Sequence, residues 1–118
     1  MRRGRTHLDY LQDILDATAK ALQFTAGVDS EAFRANDEKS FAVVRALEII
    51  GEAVRHVPPA VRARYPEVPW EDLIGTRNVL IHGYFGVDLD VVWRTVIEDL
   101  PPLQEAVQRI LRDALKNG

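Results

Sequence analysis

Apolar residues recur at three- and four-residue intervals along most of the chain, which is the spacing of one buried face of an α-helix. The clearest stripe predicts the last helix and consists of Leu103, Ala106, Val107, Ile110, Leu111, Ala114 and Leu115. A second stripe predicts the first helix and consists of Leu8, Leu11, Ile14, Leu15, Thr18 and Leu22. Thr6 and Asp9 suit the capped start of that helix, and Gly27 falls where it should end.

The middle of the chain contains the longest predicted helix, from about Asp37 to Val57, after the polar turn "DSEAFRANDEKS". The connection that follows, "PPAVRARYPEVP", is interrupted by prolines and has room for one helical turn at Ala60–Arg64. Pro69 suits the first position of the next helix, which runs from Trp70 toward His82. Two glycines, in "HGYFG", then break the pattern.

The remaining apolar stripe follows Asp88, which is a good N-cap residue. It predicts a helix through Leu89, Val92, Trp93, Val96 and Ile97. The segment "LPPL" predicts a bend before the last helix. No segment is convincing as a β-strand. The predicted fold is therefore all-α, a small up-and-down bundle of four to five helices, with residues 1–118 forming a single domain.

The amino-acid composition excludes several classes of protein and of functional site. Hydrophobic residues make up 47% and charged residues 28% of the 118 positions, which is typical of a globular domain. The net charge of −3 means that any phosphate binding must come from a local patch. The absence of cysteine excludes disulfides and thiolate chemistry and fits a cytoplasmic protein. No apolar run approaches the roughly 20 residues of a membrane span, and no signal peptide is visible.

Metal and cofactor chemistry is not indicated. His7, His56 and His82 are scattered, and no paired-ligand spacing such as H-E-x-x-H is present. Asp88 and Asp90 could bind a cation, but helix capping explains Asp88 better. We expect no metal and no cofactor.

The long central helix carries its polar residues on one narrow stripe. On an ideal helix they fall within an arc of about 100°, and they are Arg45, Glu48, Glu52, Arg55 and His56. One interpretation is a solvated face held by pairs at three- and four-residue spacing. The other is a polar cleft or a seam between subunits. Gly51 favours close packing, because a glycine inside a helix usually has a packing reason.

The stretch "RNVLIHGYF" places polar groups inside an apolar run. Arg77 falls in the middle of the apolar face of its helix, which is formed by Leu73, Ile74, Leu80 and Ile81. A buried guanidinium needs an anionic or carbonyl partner. The candidates are Glu48 and Glu52 on the central helix, or a bound phosphate.

His82 belongs to a different face of the same helix. Asn78 precedes it by four residues, so the two share a face and Asn78 could fix the histidine tautomer. Arg77 lies five residues before His82, which is about 140° around an ideal helix. Either the helix loosens near Gly83, or the two side chains meet across a two-fold subunit interface.

These residues resemble the R-x4-H-x-Y motif of HepT-like proteins, a branch of the HEPN superfamily. The resemblance extends to "VVRALEIIGEAVRHVP" and "YPEVPWEDLIGTRNVLIHGYFGVDLDVVW" and so covers most of the chain. It implies a small helical bundle that forms a homodimer. One position departs from the family pattern. Thr76 stands before the arginine, where such proteins often have methionine, and this change bears on packing more than on activity.

The resemblance also implies a function. Members of this family act as metal-independent ribonuclease toxins of type VII toxin–antitoxin pairs, and the antitoxin is a small nucleotidyltransferase, MntA. Arg77 and His82 would be the catalytic pair at the homodimer interface, with Asn78, Glu48 and Glu52 in support. Tyr84 would accept AMP from the antitoxin, which silences the toxin. The implied substrate is RNA, with tRNA as one candidate, and no membrane is involved.

Two other interpretations stay open from the residues alone. The chain could be a non-catalytic helical module that binds a nucleotide or phosphate at Arg77 and accompanies a nucleotidyltransferase. It could also be a plain helical dimer in which Arg77 is buried for structural reasons. Loss of RNA cleavage in both Arg77→Ala and His82→Ala would favour the enzyme, whereas dissociation or unfolding of Arg77→Ala would favour the structural dimer.

Overall fold

The structure is a computed structural model that describes the backbone of residues 4–82 and 87–117 and the side chains of residues 4–76 and 87–116. The described residues are helical and contain no β-strand, which confirms the all-α prediction. A π-helical turn at Thr95–Asp99 joins the last two helices. The α-helices are α1 (His7–Thr25), α2 (Ser30–Ala35), α3 (Asp37–Val54), α4 (Pro59–Ala63), α5 (Trp70–His82), α6 (Leu89–Arg94) and α7 (Leu100–Asn117).

The first helix begins and ends as its sequence predicts. The Asp9 carboxylate accepts a hydrogen bond from the backbone N–H of Thr6 at 2.9 Å, so an amide left free at the helix start is satisfied. Gly27 follows the helix with φ +73°, a left-handed conformation that costs glycine little and other residues more.

Helices α1 and α3 pack against each other and run antiparallel. At one end Lys39 Nζ donates to the carbonyl oxygen of Phe24 at 3.0 Å. At the other end the rings of Tyr10 and His56 stack, with centroids 4.1 Å apart and planes 8° apart. The apolar residues between these two contacts are fully buried and include Leu11, Ile14, Ala21, Val43 and Ile50.

Helix α5 packs along α3 in the opposite direction. Arg62 fixes the connection, because its Nε donates to the Val57 carbonyl at 3.1 Å and its guanidinium pairs with Glu71 at 3.1 Å. One side chain therefore joins the end of α3 to the start of α5. Gly51 on α3 is buried, in agreement with the expected close packing.

The segment "LPPL" does not interrupt the helical backbone. The backbone stays helical from Leu89 to Asn117, and Leu100 N–H donates to the Thr95 carbonyl five residues earlier. In a regular α-helix a proline ring clashes with the carbonyl four residues before it. The wider π turn changes that register immediately before Pro101 and Pro102, so the helical backbone continues through both prolines.

Two further expectations need correction. The polar segment before α3 contains a helix, α2, because Asp29 accepts from Ala32 N–H at 2.8 Å and Phe33 is fully buried. Three residues of the predicted apolar stripes are exposed, since they lie at helix ends or in the π turn rather than over the core: Leu8 (38%), Ile97 (52%) and Leu115 (84%). Phe41 on α3 is also exposed (77%).

Candidate active site

The candidate site is built on α5, and its first turn is firmly anchored. Trp70 is 6% exposed, and its indole N–H donates to the Tyr65 carbonyl at 3.0 Å. Leu73 is buried in the core. Thr76 donates its hydroxyl to the Asp72 carbonyl one turn earlier at 2.8 Å, so it is satisfied within the helix. The first half of α5 is thus fixed in position ahead of the motif.

The motif residues fall in the second half of α5 and beyond it. Arg77, Asn78 and His82 belong to the helical backbone, but their side chains lie outside the described residues. Tyr84 lies outside the described residues altogether. Their proposed roles therefore stay predictions.

Helix α5 packs against α3, and the contacts of Arg62 indicate the level of this half of α5 along α3. Arg77 follows Glu71 by six residues, or about 9 Å along the helix. Because Arg62 puts Glu71 level with Val57, the same length back along α3 puts the Arg77 backbone at about the level of Gly51.

Two glutamates of α3 lie near this level. Glu52 interacts with both Arg55 and His56 at 3.4 Å, three and four residues further on. These pairs confirm local charge pairing for the Glu52, Arg55 and His56 part of the stripe. Glu48 is half-buried and lines a groove of about 220 Å³ with Glu52, Arg45 and Tyr10. The stripe is therefore both a paired surface and one wall of a polar cleft.

The other wall of that cleft comes from α1, which the sequence analysis did not assign to the site. Tyr10 stacks on His56, and the Arg5 guanidinium lies 4.6 Å from the centre of the Tyr10 ring. Arg5 also pairs with Asp13, which lines the same groove. The sequence carried no signal for this wall, because it forms only once α1 and α3 pack antiparallel.

A second groove, of about 510 Å³, separates the first half of α5 from the π turn. Its walls carry Glu71 and Asp72 on one side and Glu98 and Asp99 on the other, with Arg94 as the cation of the lining. Burial raises the pKa of Asp99 above its ordinary value, and the nearby Asp72 and Glu98 carboxylates raise it further.

Neither groove resembles a metal centre. In the part of the chain that the structure describes, no group of three His, Asp or Glu side chains could hold a metal ion. No helix among those residues is long and apolar enough to cross a membrane.

Comparison with known proteins gives consistent matches. The family model described as HepT-like, ribonuclease HepT-like, matches residues 14–110. The probable ribonuclease HepT of Thermococcus cleftensis is 43% identical over 106 residues, which cover 90% of this chain and 96% of that protein. A candidate RNase of Methanocaldococcus jannaschii is 42% identical over 99 residues, which cover 84% of this chain and 91% of that protein. No solved structure matches the chain.

Proposed function

Because the chain belongs to the HepT-like family of ribonucleases, we propose that it is a metal-independent RNA endonuclease whose catalytic residues are Arg77 and His82. The observation that carries the proposal is the family match over residues 14–110, which contains the whole of α5 and its R-x4-H spacing. The enzyme class predicted from the sequence, a ribonuclease, is confirmed by the same match.

The chemistry needs only groups that RNA and these side chains supply. His82 takes the proton of the 2′-hydroxyl as that oxygen attacks the adjacent phosphorus. The bond from phosphorus to the 5′-oxygen breaks, and a protonated histidine returns a proton to the leaving oxygen. Arg77 stabilises the negative charge that develops on the phosphoryl oxygens. The products are a 2′,3′-cyclic phosphate and a 5′-hydroxyl end.

A homodimer explains how one reaction uses a base and an acid. Arg77 and His82 are separated by about 140° on their helix, which is poor geometry for one joint site. A two-fold axis near α5 brings two copies of each residue together, so one subunit can supply the base and its partner the acid. Asn78, four residues before His82, would hold its tautomer.

Glu48 and Glu52 support the site from α3. They face a polar groove at about the level of the motif, where a carboxylate can orient an arginine or a histidine. Their substitution by glutamine should therefore change the rate less than the loss of Arg77 or His82.

Regulation follows from the position of Tyr84. We place the enzyme in a type VII toxin–antitoxin pair, in which an MntA-like nucleotidyltransferase transfers AMP to the Tyr84 hydroxyl and releases pyrophosphate from ATP. The added phosphate is negatively charged and two residues from His82, so it would repel RNA and occupy Arg77.

The test is RNA cleavage by the purified wild type, Arg77→Ala and His82→Ala, with end-group analysis of the products. We expect cleavage with cyclic phosphate ends in the wild type and a loss of at least about 100-fold in each variant. The matched controls are Arg109→Ala and His7→Ala, which change the same residue types away from α5.

Three outcomes would contradict parts of the proposal. Products with only 3′-hydroxyl and 5′-phosphate ends would exclude attack by the 2′-hydroxyl. Nucleotide binding without cleavage would instead support the non-catalytic partner of a nucleotidyltransferase. Full neutralisation of Tyr84→Phe by the antitoxin would exclude AMP transfer to Tyr84, and intact mass after co-expression tests that transfer directly.

A further inference from the structure

Six cationic side chains in the described part of the chain make no ion pair or hydrogen bond there. Lys20 and Arg45 are distinguished from the others because they line the same cavity, of about 420 Å³, between α1 and α3. The remaining four are Arg64, Arg94, Arg112 and Lys116. Two uncompensated cations at one cavity indicate a place where an anion would bind.

The antiparallel packing of α1 and α3 brings these two residues to the same level. Tyr10 meets His56 at one end of the helix pair, and Lys39 meets Phe24 at the other. Position 20 on α1 therefore lies opposite positions 43 to 46 on α3, which include Arg45. The floor between them is apolar and is formed by Ala17, Phe24, Ala42, Ala46 and Ile49.

This cavity continues into the 220 Å³ groove described above, because both are lined by Asp13, Arg45 and Ile49. We call the two together the α1–α3 groove. It extends from Phe24 to Tyr10, about 20 Å along α1. Its far end carries the stacked rings of Tyr10 and His56, and the His56 side chain is 44% exposed. The groove is thus long enough for several nucleotides and offers an aromatic surface at one end.

The charges along the α1–α3 groove decide where a phosphate would lie. Arg5 compensates Asp13. Glu52 interacts with Arg55 and His56. Asp16 and Glu48 have no cation within ion-pair distance among the described residues, so they disfavour a phosphate at their own positions. The favourable position is between Lys20 and Arg45.

We propose that the α1–α3 groove binds a single-stranded RNA segment next to the cleaved bond. Lys20 and Arg45 hold one phosphate, the apolar floor contacts a sugar and base, and the Tyr10–His56 pair stacks on a further base. The proposal rests on the proposed function and deepens it by naming the substrate-positioning residues. Helix α3, which carries Arg45, packs against both α1 and α5, so the bound strand can reach the motif across the width of one helix, about 10 Å.

The experiment measures binding of a mixed-sequence single-stranded RNA in which every ribose is 2′-O-methylated, so that attack by the 2′-oxygen cannot occur. Lys20→Gln and Arg45→Gln should each raise Kd about 3- to 10-fold at about 50 mM salt, and each should reduce the slope of log affinity against log salt by about 0.7. With cleavable RNA, KM should rise while kcat changes less than about 2-fold, as expected for a positioning residue.

Three further variants distinguish binding in the groove from a general effect of net charge. Lys116→Gln and Arg112→Gln remove uncompensated cations from α7, away from the groove, and should leave Kd unchanged. Asp16→Asn removes a carboxylate from the groove wall and should tighten RNA binding. A general effect of net charge would instead change all cation variants alike.

The failure of this inference is distinguishable from failure of the proposed function. If Arg77→Ala loses cleavage while Lys20→Gln and Arg45→Gln bind and cleave RNA like the wild type, the groove proposal is overturned and the ribonuclease stands. If the groove variants lose binding to an acidic peptide segment of the antitoxin but not to RNA, the groove is a protein-docking surface and the RNA proposal is overturned.

Discussion

Two polar regions flank α5, and they are built in opposite ways. On the α3 side, carboxylates of the α1–α3 groove meet cations: Asp13 pairs with Arg5, and Glu52 interacts with Arg55 and His56. On the π-turn side, burial raises the pKa of Asp99 above its ordinary value, and the nearby Asp72 and Glu98 carboxylates raise it further. The first region is balanced, whereas the second concentrates negative charge.

This difference gives α5 a direction of approach for its substrate. On the π-turn side, a polyanion such as RNA meets four carboxylates, of which Glu71 pairs with Arg62, and one cation of the lining, Arg94. It meets two uncompensated cations, Lys20 and Arg45, on the other side. The two flanks also differ in how they stabilise the fold. Polar contacts join α1 to α3 at both ends of that helix pair. The described polar anchors of α5, at Trp70 and Glu71, lie at its start, and its first half borders the open acidic groove.

We therefore expect the largest loss of stability on substitution of Trp70. Trp70→Ala removes a buried indole from the start of α5 and should lower the free energy of unfolding by about 3–5 kcal/mol. Trp70→Phe keeps most of the apolar bulk but removes the indole hydrogen bond to the Tyr65 carbonyl, which still accepts from the Val68 N–H at 3.1 Å, so it should cost about 0.5–1.5 kcal/mol. Urea unfolding of the three proteins measures both values. Equal stability of Trp70→Ala and the wild type would show that α5 is held elsewhere.

The next largest loss of stability is expected at the end of the α1–α3 contact where Tyr10 stacks on His56. His56→Ala removes the ring stacked on Tyr10 and one partner of Glu52, and should cost about 0.5–1.5 kcal/mol. His7→Ala, at the exposed start of α1, serves as the control and should cost less. If the two substitutions lower the midpoint of thermal unfolding equally, the stack does not join the helices.

The sequence predicted the helical architecture well because its signals are local. The stripe spacing, the Thr6–Asp9 cap and the turn at Gly27 depend on residues a few positions apart, and each is present in the structure. The uninterrupted helical backbone through Pro101 was not predicted, because it depends on the π turn before it, which single-residue preferences do not encode.

The site was predictable only in part, because it combines elements distant in sequence. The polar stripe of α3 was visible as a helical pattern, and its Glu52 pairs follow from three- and four-residue spacing. The contribution of Tyr10 and Asp13 was not, since it requires knowing that α1 lies antiparallel to α3. The acidic groove likewise requires Asp72 and Asp99, 27 positions apart in sequence, to face each other.

A smaller change, in this case a gain of stability, is expected on substitution of Asp99. Its pKa is raised in the folded protein, so ionisation opposes folding above that pKa, and the penalty disappears as the pH falls below the unfolded-state pKa. Asp99→Asn should therefore be more stable than the wild type at neutral pH, and the difference should vanish in acid. Glu67→Gln, at an exposed connection, should show no such pH-dependent gain. Thermal unfolding from neutral to acidic pH measures this, and a destabilised Asp99→Asn at pH 7 would contradict the repulsive groove.

The smallest change in stability is expected for Arg55→Ala. This substitution tests whether the charge pairs of the α1–α3 groove also stabilise the fold. The guanidinium is 54% exposed and lies 3.4 Å from Glu52, so Arg55→Ala should cost only about 0.2–0.5 kcal/mol. Arg109→Ala is a matched control, because Arg109 is equally exposed and pairs with Glu105 on α7 at 2.9 Å. Both differences should shrink in about 1 M salt, where exposed pairs are screened. A loss above about 1.5 kcal/mol for Arg55→Ala but not for Arg109→Ala would contradict this prediction. It would mean that the Arg55–Glu52 pair stabilises the fold, so that the charge pairs of the α1–α3 groove serve the structure rather than substrate binding.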